Sequence, residues 1–365
     1  MTMKQKTPTN AYYEVEKDLK DYPDAWCYVI VGGRNTGKTY GALKHFLENN
    51  ERIVFTKRTM QDVDTLCAGN TLNSKPKKAQ VDLSPYKSIN RDMGTNIKAY
   101  KIEPGLGGFY HETEEGAAGL PVAYLAALSA VQKIKGFDMS DAEALIFDEF
   151  IPQPWERINR KEGEQVMDLY KTISRDRVLR GRGELKLICL ANAVNVWNPT
   201  CEILDITDVI ADMQAMKREV TYLEERGIFI RMLVTSREMM DAEKNTGIYK
   251  AMKNTQWGRM AFSNEFGYND FSSIRRVALK GFRPIIKLTY KMKEFYIWQN
   301  EEKLYMCESR GEAQEEFDLD KETEQKNFYY EWVIDLQNAS MEGRLLYSKY
   351  TMYDLITNYK LRFKV

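Results

Sequence analysis

One stretch constrains the fold more than any other. Ala25 to Val31 (AWCYVIV) is an unbroken apolar run, and GGRNTGKT follows it at once. Apolar residues at every position, not at alternate ones, suit a parallel strand buried on both faces. Gly32, Gly37, Lys38 and Thr39 satisfy G-x-x-x-x-G-K-[ST], with Gly33, Arg34, Asn35 and Thr36 between them. Leu43, Phe46 and Leu47 then share a helical face between Tyr40 and Glu48, Asn49-Asn50 ends it, and Ile53 to Phe55 begins a second strand. Strand, glycine loop, helix, strand is a βαβ unit with a right-handed connection. Such a loop turns backbone N–H groups inward around phosphate oxygens, and the helix N-terminus adds partial positive charge. The spacing therefore predicts ATP and Mg²⁺ as ligands, with Lys38 on the β- and γ-phosphates and Thr39 on the ion. The competing reading, an ordinary glycine-rich turn, lacks the flanking strand and helix found here.

A second element supports the first. ALIFDEF, Ala144 to Phe150, is a buried strand that ends in carboxylates. Asp148 suits a Mg²⁺ ligand and Glu149 a general base for water. A carboxylate pair at a strand end is weak alone and stronger downstream of a phosphate loop. Asn192 follows the apolar strand LKLICL, at the strand end where ligands lie in open α/β sheets. It is a candidate for holding the attacking water or sensing the γ-phosphate, or it simply starts a loop. Arg34 is a candidate for the γ-phosphate in cis, with solvent as the alternative. Arg175, Arg177, Arg180 and Arg182 crowd into SRDRVLRGRG. One of them suits an arginine finger acting on a neighbouring subunit's ATP; a solvated basic turn is the bland reading. Lys133 and Lys135, Lys57 and Arg58, and the trio Lys287, Lys291 and Lys293 are candidates for DNA phosphates, or equally solvated faces.

Composition narrows the class. The chain has 365 residues, 43% hydrophobic and 12% aromatic, enough for a packed core. Basic and acidic residues balance at 53 each, so nucleic-acid binding would need a local patch. Cys27, Cys67, Cys189, Cys201 and Cys307 form no CxxC pair, and His45 and His111 stand apart, which disfavours disulfides and structural zinc. The polar start, Met1 to Asn10, and the lack of a long apolar run predict a cytoplasmic protein without a membrane partner.

The chain reads as α/β, a doubly wound parallel sheet, with three parts: 1–235, a helical linker over 236–270, and a smaller domain over 271–365. A short helix is expected over Tyr12 to Asp21, short strands and long loops over 61–121, and helix over 208–225 and 236–257. Ile286, Leu288, Tyr290 and Met292 alternate with polar residues, and Phe295 to Trp298 with Leu304 to Cys307 reads as a hairpin. Glu312 to Lys326 reads as a solvated loop, and 342–360 as a final helix.

VGGRNTGKTY, ALIFDEF and ICLANAVNVWNP, in that order, resemble the small DNA-packaging ATPases of short-tailed bacteriophages, most clearly over about residues 25 to 200. RMAFSNEF (259–266) is a weaker echo. The resemblance implies a P-loop NTPase domain of the ASCE type, a helical linker and a nuclease-like (RNase H-like) C-terminal domain without its catalytic metal site. It implies a homo-oligomeric ring of five on the capsid portal (connector) protein, driving double-stranded DNA into the procapsid. Such a motor works in the host cytoplasm, transiently at the portal vertex, and is absent from the mature virion; an RNA adapter is left open. TISRDR resembles the family's arginine-finger segment, which points to Arg175 first and leaves Arg180 open. VQKIKG resembles a segment whose lysine faces the DNA channel, hence Lys135 and Lys133. Rival readings are a large-terminase type with an active nuclease, a ring helicase, and a nucleotide-dependent scaffold. Asp318, Asp320 and Asp335 exist for a nuclease, but their neighbours suggest loop and surface.

Overall fold

The computed structural model describes residues 12–72, 82–153, 155–156, 159–255, 258, 262, 266, 269, 271–363 and 365. The RMAFSNEF segment lies mostly outside them. Two compact units emerge: Met1–Leu204 with Met216–Tyr268, and Asp205–Ala215 with Asn269–Val365.

The first unit is built on a nine-stranded sheet. In chain order its elements are α1 (Val15–Asp21), β1 (Cys27–Gly32), α2 (Lys38–Glu48), β2 (Ile53–Lys57), α3 (Met60–Cys67), α4 (Lys87–Met93), β3 (Ile97–Glu103), β4 (Leu106–Thr113) and β5 (Gly116–Ala127). Then follow α5 (Val131–Ile134), β6 (Ala144–Asp148), α6 (Glu162–Ser174), β7 (Lys186–Asn192) and α7 (Pro199–Ile203). After α8 (Thr207–Met216), nearly all of which belongs to the second unit, the first unit resumes with β8 (Val220–Leu223), β9 (Ile228–Leu233), α9 (Arg237–Lys244) and α10 (Gly247–Met252). The strand order is β3-β4-β5-β2-β6-β7-β1-β9-β8.

Six strands at the centre, β5-β2-β6-β7-β1-β9, run parallel. Every residue of β1 and β6 is buried, as the unbroken apolar runs require. Each such Val or Ile contributes about 1.5–3 kcal/mol by leaving water. Truncating one, as in Ile30→Ala, would cost about 2–5 kcal/mol through the cavity left behind. The centre is the α/β sheet expected from sequence. The edges are not purely parallel: β3, β4 and β5 form an antiparallel meander, and β8 pairs antiparallel with β9.

Over 61–121 the expected short strands are present as the β3–β5 meander, and the helices α3 and α4 stand where loops were expected. Gly105 turns β3 into β4 with φ 81°, while Gly107 and Gly108 pack: a β-carbon on Gly107 would lie 2.8 Å from the Tyr100 carbonyl oxygen, and one on Gly108 would lie 2.7 Å from the Tyr110 ring. The helix expected over 208–225 is split, ending at Met216 before β8 begins.

The second unit carries a five-stranded sheet, β13-β10-β11-β12-β14. Its strands are β10 (Arg283–Tyr290), β11 (Lys293–Gln299), β12 (Leu304–Cys307), β13 (Glu315–Asp318) and β14 (Leu345–Tyr347). The expected β11–β12 hairpin is antiparallel and present. Met292 breaks the alternation, because it sits in the β10–β11 turn with φ 61° and is 96% exposed. The supposed solvated loop holds β13, parallel to β10, and the start of α11 (Glu322–Phe328). A π-turn, Tyr329–Val333, joins α11 to α12 (Ile334–Met341). Phe317 and Phe328 are buried there with ring centroids 5.2 Å apart, and burying that apolar pair offsets the surrounding charge. The expected final helix is β14 followed by α13 (Tyr350–Thr357) and α14 (Tyr359–Arg362). Among the described residues no helix is long and apolar enough to cross a membrane.

Candidate functional site

The glycine loop joins β1 to α2. Asn35 (φ 62°) and Gly37 (φ 83°) take left-handed backbone conformations, which glycine and asparagine adopt most cheaply. The loop closes on its own lysine. Lys38 Nζ donates to the Gly33 carbonyl (2.7 Å), Thr36 Oγ1 (3.1 Å), the Gly32 carbonyl (3.2 Å) and Asn192 Oδ1 (3.3 Å). Asn192 reaches it because β7 lies beside β1, with Gly32 and Asn192 in register. Burial pulls the Lys38 ammonium down to about 8; Asp148 opposes that shift and Arg34 adds to it.

Asp148 ends β6 on the same side of the sheet. Thr39 Oγ1 donates to Asp148 Oδ1 at 2.8 Å, so the loop and the carboxylate strand share one cleft. That cleft, about 300 Å³, is lined by Arg34 to Tyr40, Asp148, Glu149 and Asn192. Thr39 and Asp148 are hard oxygen donors at the mouth of a phosphate loop, which fits Mg²⁺ held by few protein ligands and completed by phosphate and water. Glu149 has φ 58°, left-handed backbone that a non-glycine residue rarely adopts. Its side chain is 63% exposed.

Sequence reasoning missed two members of the site. Lys57 Nζ donates to Asp148 Oδ2 (2.7 Å) and Glu149 Oε2 (3.0 Å). Burial alone would lower its pKa, but the two carboxylates hold it raised. Arg58 donates to Glu162 (2.5 Å), Glu156 (2.8 Å) and the carbonyls of Glu149 (3.0 Å) and Phe150 (3.2 Å). Burial pushes the Glu162 carboxyl up, and Arg58 pulls it back. Lys57 and Arg58, expected as DNA contacts, are engaged by carboxylates here, and their side chains are only 17% and 15% exposed. The missing signal is topological: β2 lies beside β6, with Thr56 opposite Phe147. On its other side β2 meets β5, with Lys57 opposite Ala127. The Ser129 amide donates to the Arg58 carbonyl (3.1 Å), and Ser129 Oγ accepts from the Met60 amide (3.1 Å).

The profile of the podovirus DNA encapsidation protein (Gp16) family matches residues 113–362, more than half of the chain. The chain belongs to that family. Its function is phage DNA packaging. It is also similar to the DNA packaging protein of Bacillus phage B103, with 23% identity over 326 residues, 88% of this chain and 85% of that one. Two solved structures share the fold. The bacteriophage Phi-29 viral genome packaging motor assembly aligns with TM-score 0.62 and 16% identity over 96% of this chain and 98% of that one. The Phi-28 gp11 DNA packaging motor aligns with TM-score 0.60 and 17% identity over 98% and 99%.

The arginine segment of this family member divides in two. Arg177, 2% exposed, binds Glu143 and the Ala142 carbonyl, and reaches the Gly183 carbonyl at 2.7 Å. Arg182 binds Glu143 too and donates to the Ser140 carbonyl at 2.5 Å. Both hold the turn together. Arg175 caps α6 with φ 37° and reaches the Phe137 carbonyl (3.1 Å) and Asp138 (3.3 Å). Arg180's side chain is 73% exposed and pairs with Asp176 at 2.8 Å. Lys133 is exposed on α5, and Lys135 pairs with Asp168 at 3.1 Å.

In the second unit, Lys287 pairs with Glu294 and Glu316, and Lys293 with Asp205. Asp318 binds Lys321 and caps the Asp320 amide, while Asp320 accepts from the Lys291 amide. These carboxylates organise a turn.

Proposed function

We propose that the chain hydrolyses ATP in this cleft and uses the energy to drive double-stranded DNA into a procapsid. The convergence of Thr39 and Asp148, 2.8 Å apart and beside Lys38, carries the reading. Mg²⁺, held by Thr39 and Asp148, would neutralise charge on the β- and γ-phosphates. Lys38 exchanges its carbonyl partners for phosphate oxygens, and the loop amides of Gly33 to Gly37 cradle the rest. Glu149 takes the proton of the attacking water. Lys57 fixes Asp148 and Glu149 in position. Asn192 and Arg34, both lining the cleft, face the γ-phosphate.

An arginine from a neighbouring subunit completes the site, worth roughly 10³–10⁵ in rate. Arg175 and Arg180 are the candidates, since Arg177 and Arg182 are bound to Glu143. Lys133 and Lys135 follow the DNA phosphates, giving sequence-independent, salt-sensitive contact. The similarity to packaging motor assemblies supports a ring, five-membered in our reading, on the portal vertex. The second unit serves DNA or portal binding without cleavage.

The test is DNA-stimulated ATPase activity of the purified chain. Glu149→Gln should keep Mg·ATP binding and lose about 10²–10⁴ in turnover. Unchanged turnover would remove Glu149 from the mechanism, and absence of any hydrolysis by the native chain would end the motor reading.

A further inference from the structure

In the ATP reading, on which this inference rests, the described residues lining the cleft supply partners for the phosphates and the ion, and the base of the nucleotide lies beyond them. The chain segment ahead of α1 crosses the mouth of the glycine loop and is fixed at several points. The Tyr13 amide donates to the Thr36 carbonyl (2.9 Å). The Tyr13 hydroxyl donates to Asp18 (2.8 Å), and Arg231 of β9 grips the same carboxylate through Nε (2.8 Å) and Nη2 (2.5 Å).

This anchoring sets Tyr12 directly on the last residue of the loop. A β-carbon built on Gly37 would lie 2.9 Å from both Cβ and Cδ1 of Tyr12. Tyr12 is nevertheless 40% exposed. Tyr40, the residue after Thr39, lines the phosphate cleft and also a neighbouring cavity of about 350 Å³ that Tyr12 shares. The two ring centroids are 6.4 Å apart. The Tyr40 hydroxyl donates to Asp92 at 3.0 Å, which fixes that ring.

A triphosphate with its γ end at Lys38 and Asp148 leaves the loop past the first turn of α2. Its sugar and base would then lie on the side of the cleft where Tyr40 joins it to the cavity that Tyr12 lines. We propose that the exposed face of Tyr12 is the platform on which the base of the nucleotide stacks, with Tyr40 walling the passage from the phosphate cleft. An aromatic face held rigid before binding favours a flat base at little entropic cost.

Calorimetry on the full chain with Mg·ATP and with Mg·tripolyphosphate, which lacks sugar and base, tests this. Tyr12→Ala should weaken ATP about tenfold and leave tripolyphosphate within about twofold, because stacking acts on the base alone. Tyr12→Leu, which keeps apolar cover on Gly37 without a ring, should do the same, and Tyr12→Phe should bind both as the native chain does. Native ATP affinity in both Tyr12→Ala and Tyr12→Leu overturns the assignment. Equal losses of ATP and tripolyphosphate also overturn it, since Tyr12 then only props the loop. Lys38→Ala should lose both ligands. A native chain that binds neither ligand overturns the ATP reading itself, a result distinct from a selective failure at Tyr12.

Discussion

Two clusters in the first unit join cations to carboxylates, and they behave differently. In the cleft, Lys38 and Lys57 surround Asp148 and Glu149 beside an open space of about 300 Å³. In the arginine turn, Arg177 and Arg182 close on Glu143 and on backbone carbonyls of the segment ahead of β6. The first cluster can exchange partners with a phosphate or an ion. The second has its donors spent on holding its own backbone. The same residue types thus serve ligand binding in one place and loop geometry in the other, and burial against backbone oxygens decides which.

The sharpest way to break the comparison is to remove a member of the closed cluster. Arg177→Ala should destabilise the first unit by about 1–3 kcal/mol, because it leaves the Ala142 and Gly183 carbonyls without their donor while Arg182 still holds Glu143. Denaturant unfolding would reveal this, and a change under about 1 kcal/mol would contradict the structural role. Arg180→Ala, by contrast, should stay within about 0.5 kcal/mol of native stability.

Next comes the finger. If Arg175 or Arg180 acts on a neighbour, its alanine variant should lose ATPase activity, and mixing with Lys38→Ala subunits should restore part of it. Mixed rings without rescue, assembled normally, would move the role to other residues.

The smallest effect concerns pH. The Lys38 pKa is about 8 before binding, and a phosphate raises it. Binding therefore favours the protonated lysine. Affinity for Mg·ATP should be full below pH 8 and fall as pH climbs through 8, by up to about tenfold per unit. Titrations between pH 7 and 9.5 would trace this, and a flat profile would mean the ammonium is not desolvated as the loop geometry implies.

The legible parts of the sequence share a physical cause. AWCYVIV and ALIFDEF are buried on both faces, so their apolar runs stand out without context, and the glycine loop has a fixed spacing. The β3–β5 meander is only partly legible, as short strands, because Gly107 and Gly108 look like turn formers while serving close packing. Segment 312–326 reads as solvated because charge outnumbers the few residues, Phe317 among them, that anchor it. Within the site, Lys38, Thr39, Asp148 and Asn192 converge as the motifs require. Lys57 and Arg58 carry no local signal, because their partners belong to a strand far away in sequence that becomes a neighbour only when the sheet forms.

The placement of that short stretch has a mechanical side. Lys57 and Arg58 face the carboxylates with their side chains, while the Arg58 carbonyl and the Met60 amide bracket Ser129, just ahead of the helix that bears Lys133. Arg58 is thus bonded on two sides at once, to Glu156, Glu162 and the Glu149 carbonyl through its guanidinium and to Ser129 through its own carbonyl.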